Sequence, residues 1–398
     1  MKKLFQLLLL LSCCCFVLSP STYFKDDEIL YQESLNENVK DMPAITQFTL
    51  DFLLKSIQRN ENIVCSPISA HNIFTLLANG AEGESLEKLE LILGENIDKL
   101  NEYYKDHFKD YQLKGLTFSN LLWLNENLNL SDLFLEKCNG YPLTQVRNID
   151  FSNEKAKDII NEWIAGCTNH TIKNMIERVQ SKDKLIATSA LYFKSKWAFP
   201  FLKENNIIDK FFSSEGNVTQ IEYMQNLSNY RYFADEKTTI LILPYEKSDL
   251  SFFLLLPKEH ILLKDYIRTI SGVDVVNLLQ NGQKNYKAVN LYLPKFKIEH
   301  SNDLKNVFAE MGFNPIDVNF SNILKDGGDV YLRNFYQKTF FSIDENGTEA
   351  SSATAIYMDG GRIKESKPIE LKFNRPFIFG IVENRSNIPL FIGAINEL

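Results

Sequence analysis

Between residues 44 and 57 apolar side chains recur at helical spacing, with Phe48, Phe52, Leu53 and Ile57 on one face. Residues 62–67 (N-I-V-C-S-P) read as a short strand ending in a turn. Ser66 followed by Pro67 predicts a helix N-cap with proline at the first position. Residues 68–79 are apolar nearly all round, the pattern of a buried helix, closed by Gly80. Residues 85–111 form an amphipathic, acidic pattern that Gly94 divides, and helical segments are expected over 155–176 around Trp163. Residues 116–124 predict a strand, and 185–197 a longer one buried on both faces. Shorter strands are expected at 230–233, 239–243, 251–256 and 289–293, with a short helix at 304–311 closed by Gly312. The chain ends in a hairpin, 376–383 and 389–395 around a turn at 384–387. Strands outnumber helices after the first half, so the fold class is α+β.

One stretch breaks these patterns. Residues 338–343 and 369–383 are rich in β formers, but between them the side chains become small: Gly347, Thr348, Ala350, Ser351, Ser352, Ala353, Thr354. Small residues build no large core, so an exposed loop is expected. No proline interrupts the run, so every N–H is free to join a ladder, and such residues are slim enough to slide between two existing strands. Gly360-Gly361 then forms a tip carrying Arg362, the residue a trypsin-like protease seeks. Composition alone also fits a plain solvated linker within one hairpin.

Composition narrows the function. The 398 residues are 44% hydrophobic and 24% charged, ordinary values for a globular chain, and no linker, repeat or low-complexity tract divides it. A net charge of −8 and a pI near 5.4 argue against a nucleic-acid surface. Met1-Lys2-Lys3, an apolar core over 4–18 and small residues at 19–22 predict a secretory signal over residues 1–21; the apolar run is short for a membrane span. Residues 22–43 read as an acidic arm, and 44–398 as one domain. Only Cys65, Cys138 and Cys167 follow the signal, too few for a disulfide framework. Seven N-x-S/T sequons accord with export. Asn129, Asn169, Asn217, Asn226 and Asn384 are the glycosylation candidates, Asn319 falls in packed-looking chain, and Asn346 sits in the small-residue stretch. Among five histidines none has paired metal-ligand spacing, and G-x-S-x-G, a phosphate loop and C-x-x-C are all missing. No cofactor, no metal and no enzymatic activity are expected; His71, on the buried helix, reads as a core polar group.

Several segments resemble the serpin family in order along residues 44–398. Asn62 to Ser69 resembles N-x-x-x-S-P-x-S; Asn161, Trp163, Thr168 and Ile172 resemble N-x-W-V-x-x-x-T-x-G-K-I; Ser189 to Trp197 resembles N-A-I-Y-F-K-G-x-W. Leu243-Pro244-Tyr245, then Leu293-Pro294-Lys295-Phe296 with Asp303-Leu304, match two further signatures, and Phe373-Asn374-Arg375-Pro376-Phe377 and Leu390-Phe391-Ile392-Gly393 match the last ones. Glu345-Asn346-Gly347-Thr348-Glu349-Ala350 then resembles the hinge E-x-G-T-E-A-A-A-A-T.

The resemblance implies three β-sheets with eight or nine helices and an exposed reactive centre loop over about residues 345–367. It implies an inhibitor that is no catalyst: the loop is cleaved as a suicide substrate, the protease becomes esterified to it, and the hinge (Glu345, Gly347 to Thr354) inserts into the main sheet. Residue logic agrees. An inserting strand gains ladder bonds worth roughly 0.5–1.5 kcal/mol each, and Thr348, Ala350, Ser352 and Thr354, which alternate inward, are small, while Glu349 faces out. Three positions depart from the pattern, the third being Asn346. Ser189 replaces the family asparagine and Gln337 the family histidine; with Ser66 and Ser69 these positions form the cluster where the sheet opens, so a rewired cluster is expected. A glycan on Asn346 would obstruct entry. Family spacing puts the acyl-side residue at Gly361, but glycine fills no pocket, whereas Arg362 would contact a pocket carboxylate through both guanidinium nitrogens. The expected bond is Arg362–Ile363, with Lys364–Glu365 second and Gly361–Arg362 third. The partner expected is a trypsin-like serine protease; a monomer is expected, without membrane or heparin binding, since Lys99, Lys105 and Lys109 are offset by neighbouring acids. The alternative is a non-inhibitory ligand carrier or chaperone on the same scaffold.

Overall fold

The computed structural model describes residues 43–57, 61–107, 116–139, 144–314, 317–332, 334–348 and 367–398. The expected signal (residues 1–21) and the expected acidic arm up to residue 42, hinge residues Glu349, Ala350, Ser351, Ser352, Ala353 and Thr354, and the candidate bonds at Gly361, Arg362, Ile363, Lys364 and Glu365 lie outside the described residues, while Pro43, expected to end the arm, belongs to the first helix.

Nine α-helices are present among the described residues: α1 (Pro43–Ser56), α2 (Pro67–Ala78), α3 (Gly83–Leu93), α4 (Ile97–His107), α5 (Asp132–Asn139), α6 (Ala156–Cys167), α7 (Leu263–Thr269), α8 (Gly272–Lys284) and α9 (Leu304–Glu310). The strands are β1 (Ile63–Cys65), β2 (Leu116–Asn125), β3 (Thr144–Ile149), β4 (Leu185–Phe193), β5 (Ser195–Lys196), β6 (Ile207–Phe212), β7 (Val218–Ala234), β8 (Thr238–Pro244), β9 (Leu250–Pro257), β10 (Tyr286–Pro294), β11 (Phe296–Asp303), β12 (Asn334–Asp344), β13 (Gly347–Thr348), β14 (Ile369–Lys372), β15 (Phe377–Glu383) and β16 (Pro389–Ile395).

Two ladder-connected sheets result among the described residues. One has seven strands in the order β3-β2-β4-β12-β13-β5, with β11 pairing β12. The other has nine, β1-β16-β15-β9-β8-β7-β10-β14, with β6 pairing β7. Sequence led us to expect three sheets. β7 explains the difference: its 17 residues pair with β6 and β10 along one part and with β8 at the far end, so one strand joins two would-be sheets.

The two sheets meet in an aromatic core, where Phe341 of β12 lies 5.0 Å from Phe379 and 5.9 Å from Phe252. α2 runs beneath, all twelve residues buried, as its apolar pattern predicts. A second core holds Trp123, Ile160, Ile164 and Ile186 between α6 and the outer face of the seven-stranded sheet. Gly94 does divide the amphipathic stretch: it caps α3 at φ 78°, a conformation glycine adopts without strain. Of the helical segments expected over 155–176, α6 forms around Trp163. α6 stops at Cys167 because Asn169, His170 and Asn174 take left-handed conformations.

Candidate functional site: the mouth and the seam of the seven-stranded sheet

The site begins where β4 and β12 run side by side. Their parallel ladder extends from Ile186/Asn334 to Leu191/Thr339 and stops. Above that level β12 keeps its antiparallel partner β11 up to Ile343, and its other edge meets β13 instead. Gly347 and Thr348 pair antiparallel with Asp344 and Ile343 on one side and with Lys196 and Ser195 on the other. The first two residues of the small-residue stretch are thus already threaded between strands.

Local chemistry holds them there. Gly347 has φ 153°, and a Cβ on it would sit 2.2 Å from Ser195 O, so only glycine fits this approach. Thr348 is 1% exposed, pointing inward as alternation requires, and its hydroxyl lies 2.6 Å from Tyr245 Oη. Burial pushes the Tyr245 phenol far up, so it stays protonated. Trp197 stacks on Tyr245 at 5.0 Å and 8°. Its indole donates to Asp344 O and its backbone N–H to Asn346 O, while Phe201 N donates to Glu345 O. Asp344 Oδ1 in turn accepts from the backbone N–H groups of Asn346 (2.8 Å) and Gly347 (3.3 Å).

Glu345 anchors the turn from outside. Oε1 accepts from Asn206 Nδ2 at 2.6 Å and from Lys295 Nζ at 3.0 Å, and Lys295 also reaches Glu222. Burial pulls the Glu345 carboxyl upward, but the hydrogen bonds from Asn206 and its own backbone, with Lys295, outweigh it and leave it below the usual range. On Lys295, burial alone would lower the ammonium; the bonds it donates to Glu222 and Glu345 more than offset this, and it ends raised.

Lower down lies the predicted opening cluster. Gln337, 3% exposed, spans Ser66: Nε2 donates to Ser66 O (2.8 Å) and Oε1 accepts from Ser66 N (3.0 Å). Ser66 Oγ is 2.9 Å from Ser69 Oγ and 3.0 Å from Leu390 O. Ser66 therefore precedes α2 as expected but does not cap it with its side chain, because its hydroxyl is engaged elsewhere. Ser189 is the member left out. It sits in register with Gln337 on one side and Asn120 on the other, fully buried, and its hydroxyl has no partner among the described residues. The cluster ties β12 to the start of α2 and leaves β4 untied.

Asn129, Asn169 and Asn217 are exposed and Asn226 is half-buried. Asn384 does not fit the expectation of a glycan. It is 3% exposed, with its N–H bound to Asp249 O and its carbonyl accepting from Gln283, so a sugar attached there has no exit. Asn319 is engaged with Asp329 and Val330 N. His71 has the core role expected, between Tyr104 Oη (2.8 Å) and Leu93 O, its pKa lowered to about 4 by burial. No group of His, Cys, Asp or Glu able to hold a metal occurs among the described residues.

Sequence reading missed Trp197, Asn206, Tyr245, Lys295 and Asp344 as site residues. Trp197, Tyr245 and Lys295 stand inside quoted signatures, so the signal was present without its meaning. Asn206 and Asp344 carry no local pattern.

A family model described as Serpin (serine protease inhibitor) matches residues 43–398. The chain is 29% identical over 354 residues to an uncharacterized serpin-like protein of Methanosarcina mazei, covering 84% of this chain and 81% of that protein. It is 27% identical over 387 residues to Serpin B3 of Homo sapiens, covering 89% and 98%. Among solved structures, the thermophilic serpin Tengpin in its native state matches with a TM-score of 0.80 at 30% identity, over 89% of this chain and 93% of that one. A Manduca sexta serpin, number 12, matches at 0.79 and 23% identity over 89% and 98%, which bears on the fold alone.

Proposed function

The chain belongs to the serpin family, and on that premise we propose that it is a secreted inhibitor of trypsin-like serine proteases, acting as a suicide substrate. The protease serine attacks the Arg362 carbonyl, the Ile363 amine leaves, and the ester remains on Arg362. The freed hinge then follows Thr348 into the sheet, carrying the protease with it. No residue of this chain performs catalysis.

The observation that carries this reading is the position of Gly347 and Thr348, paired on both sides in the mouth of the sheet. It supplies the start of an insertion whose energetics favour completion. To admit a strand, β4 and β12 give up one parallel ladder. The entering chain, continuing the direction of β13, makes two antiparallel ladders in its place, and antiparallel pairing is the stronger per residue. Each new bond is worth about 0.5–1.5 kcal/mol net. Ala350, Ser352 and Thr354 would follow Thr348 inward.

Secretion as a monomer, with glycans on Asn129, Asn169, Asn217 and Asn226, belongs to the same reading; exposure of the first three supports it. The test is incubation with a panel of trypsin-like proteases. A complex that survives SDS is expected, with a released fragment beginning at Ile363. Cleavage without complex would sink the inhibitory reading in favour of a carrier, as would a nicked chain that melts no higher than the intact one.

A further inference from the structure

We propose that Asn346 is a site of spontaneous covalent modification, converting to isoaspartate by attack of the Gly347 backbone nitrogen, and that this conversion expels the hinge from the mouth of the sheet. Asn-Gly pairs are the chemically susceptible ones, because glycine lets the following nitrogen approach the side-chain carbonyl. The described residues hold three of them, and they are not equivalent. Asn79 has its amide tied to Thr75 O, Leu76 O and Asn101 Oδ1. Asn281 lies inside α8, with Gly282 packed on Ile240 and Ile242. Asn346 is half-buried in a turn, and the nitrogen that must attack already points its proton at a carboxylate, Asp344 Oδ1 at 3.3 Å.

The step balances without a co-reactant. Gly347 N passes its proton to Asp344 and bonds to Asn346 Cγ. The Cγ–Nδ2 bond breaks and ammonia leaves, taking up that proton. Water then opens the five-membered imide at either carbonyl, giving aspartate or isoaspartate. Isoaspartate routes the main chain through the former side chain and lengthens it by one atom. Gly347 has no room for this: a single added carbon would already sit 2.2 Å from Ser195 O. The register with Ser195, Lys196, Ile343 and Asp344 is lost, and Thr348 leaves Tyr245. A glycan on Asn346 would occupy the same amide nitrogen and block the reaction, so the two modifications exclude each other.

The test uses the full chain made without glycans, aged at mildly alkaline pH and mapped by mass spectrometry with isoaspartyl methyltransferase labelling. The Asn346 peptide is expected to convert about tenfold faster than those of Asn79 and Asn281, and Asp344→Asn to remove most of that advantage. Equal rates at the three sites, or no slowing in Asp344→Asn, would overturn the proposal. Aged wild type is expected to melt lower than aged Asn346→Gln and to form less protease complex; unchanged melting would overturn the expulsion step. The consequence for inhibition rests on the function proposed above, but the conversion rate does not. Failure of fresh protein to trap a protease is therefore distinguishable from failure of this chemistry.

Discussion

The mouth and the seam of the seven-stranded sheet share β12 and are closed in opposite ways. At the mouth, β12 is separated from the β5 segment by two guest residues, fixed by side chains from four separate connections: Tyr245, Trp197, Asn206 and Lys295 all converge on 344–348. At the seam, β4 and β12 touch directly through a parallel main-chain ladder; Gln337 turns away to Ser66, and the Ser189 hydroxyl has no partner among the described residues. The costly specificity sits where insertion begins. On the function proposed above, the advancing guest strand displaces the β4–β12 ladder, which Gln337 does not reinforce because its amide is spent on Ser66.

The largest effect should come from spoiling the mouth outright. Thr348→Arg puts a charge where 1% of the residue is exposed, a cost of several kcal/mol without a partner, so the hinge stays outside. SDS-stable complex should vanish while cleavage continues; undiminished trapping would mean that Thr348 never enters. Gln337→Ala comes next. It strands a buried N–H and C=O of Ser66, each worth about 1–3 kcal/mol when unsatisfied, so urea unfolding should show a loss of about 3 kcal/mol.

Glu345→Lys sharpens the comparison from the outer side of the mouth. It sets two ammoniums together where Glu345 and Lys295 are 13% and 26% exposed, and about 2 kcal/mol should be lost. Exchanging both charges should recover part of it. pH dependence has a definite sign here. The folded Glu345 carboxyl is below its ordinary 4.5, so its contribution is complete above that value and is lost as pH falls through the folded pKa. Glu345→Gln should flatten that acid limb; an unchanged limb would show that other carboxylates produce it.

Much of the scaffold was legible because its elements carry period or punctuation. α2 has proline at its first position and apolar residues all round; the C-terminal hairpin has two apolar runs about a polar turn; Gly94 and Gly312 end helices where glycine should. The failures have physical reasons. α7 and α8 went unread, although Ser271 and Asp274 form a capping box at the start of α8. β13 is two residues long and has no period to detect, and as a strand it exists only because β12 and β5 flank it. The same holds for Asn206 and Asp344, which are positioned by contacts remote in sequence. Glu345, Gly347 and Thr348 were visible through their motif, but what grips them was not.

Ser189→Ala is the smallest effect and the most discriminating. A hydroxyl at 0% exposure with no partner is desolvated without return, so deleting it should be neutral or stabilise by up to about 1 kcal/mol. The cavity left by one oxygen is too small to reverse this. Trapping should be unaffected as well, because no bond across the β4–β12 line depends on that hydroxyl. Ser189→Asn acts in the other direction: a longer amide is able to reach toward Gln337 or Asn120, both in register with it, and would supply the missing tie. Slower insertion, read as more cleaved and less trapped product, is then expected. If Ser189→Ala instead cost more than about 1.5 kcal/mol, the hydroxyl would have to be bonded in solution. The seam would then be tied by side chains like the mouth, and the contrast between them would vanish.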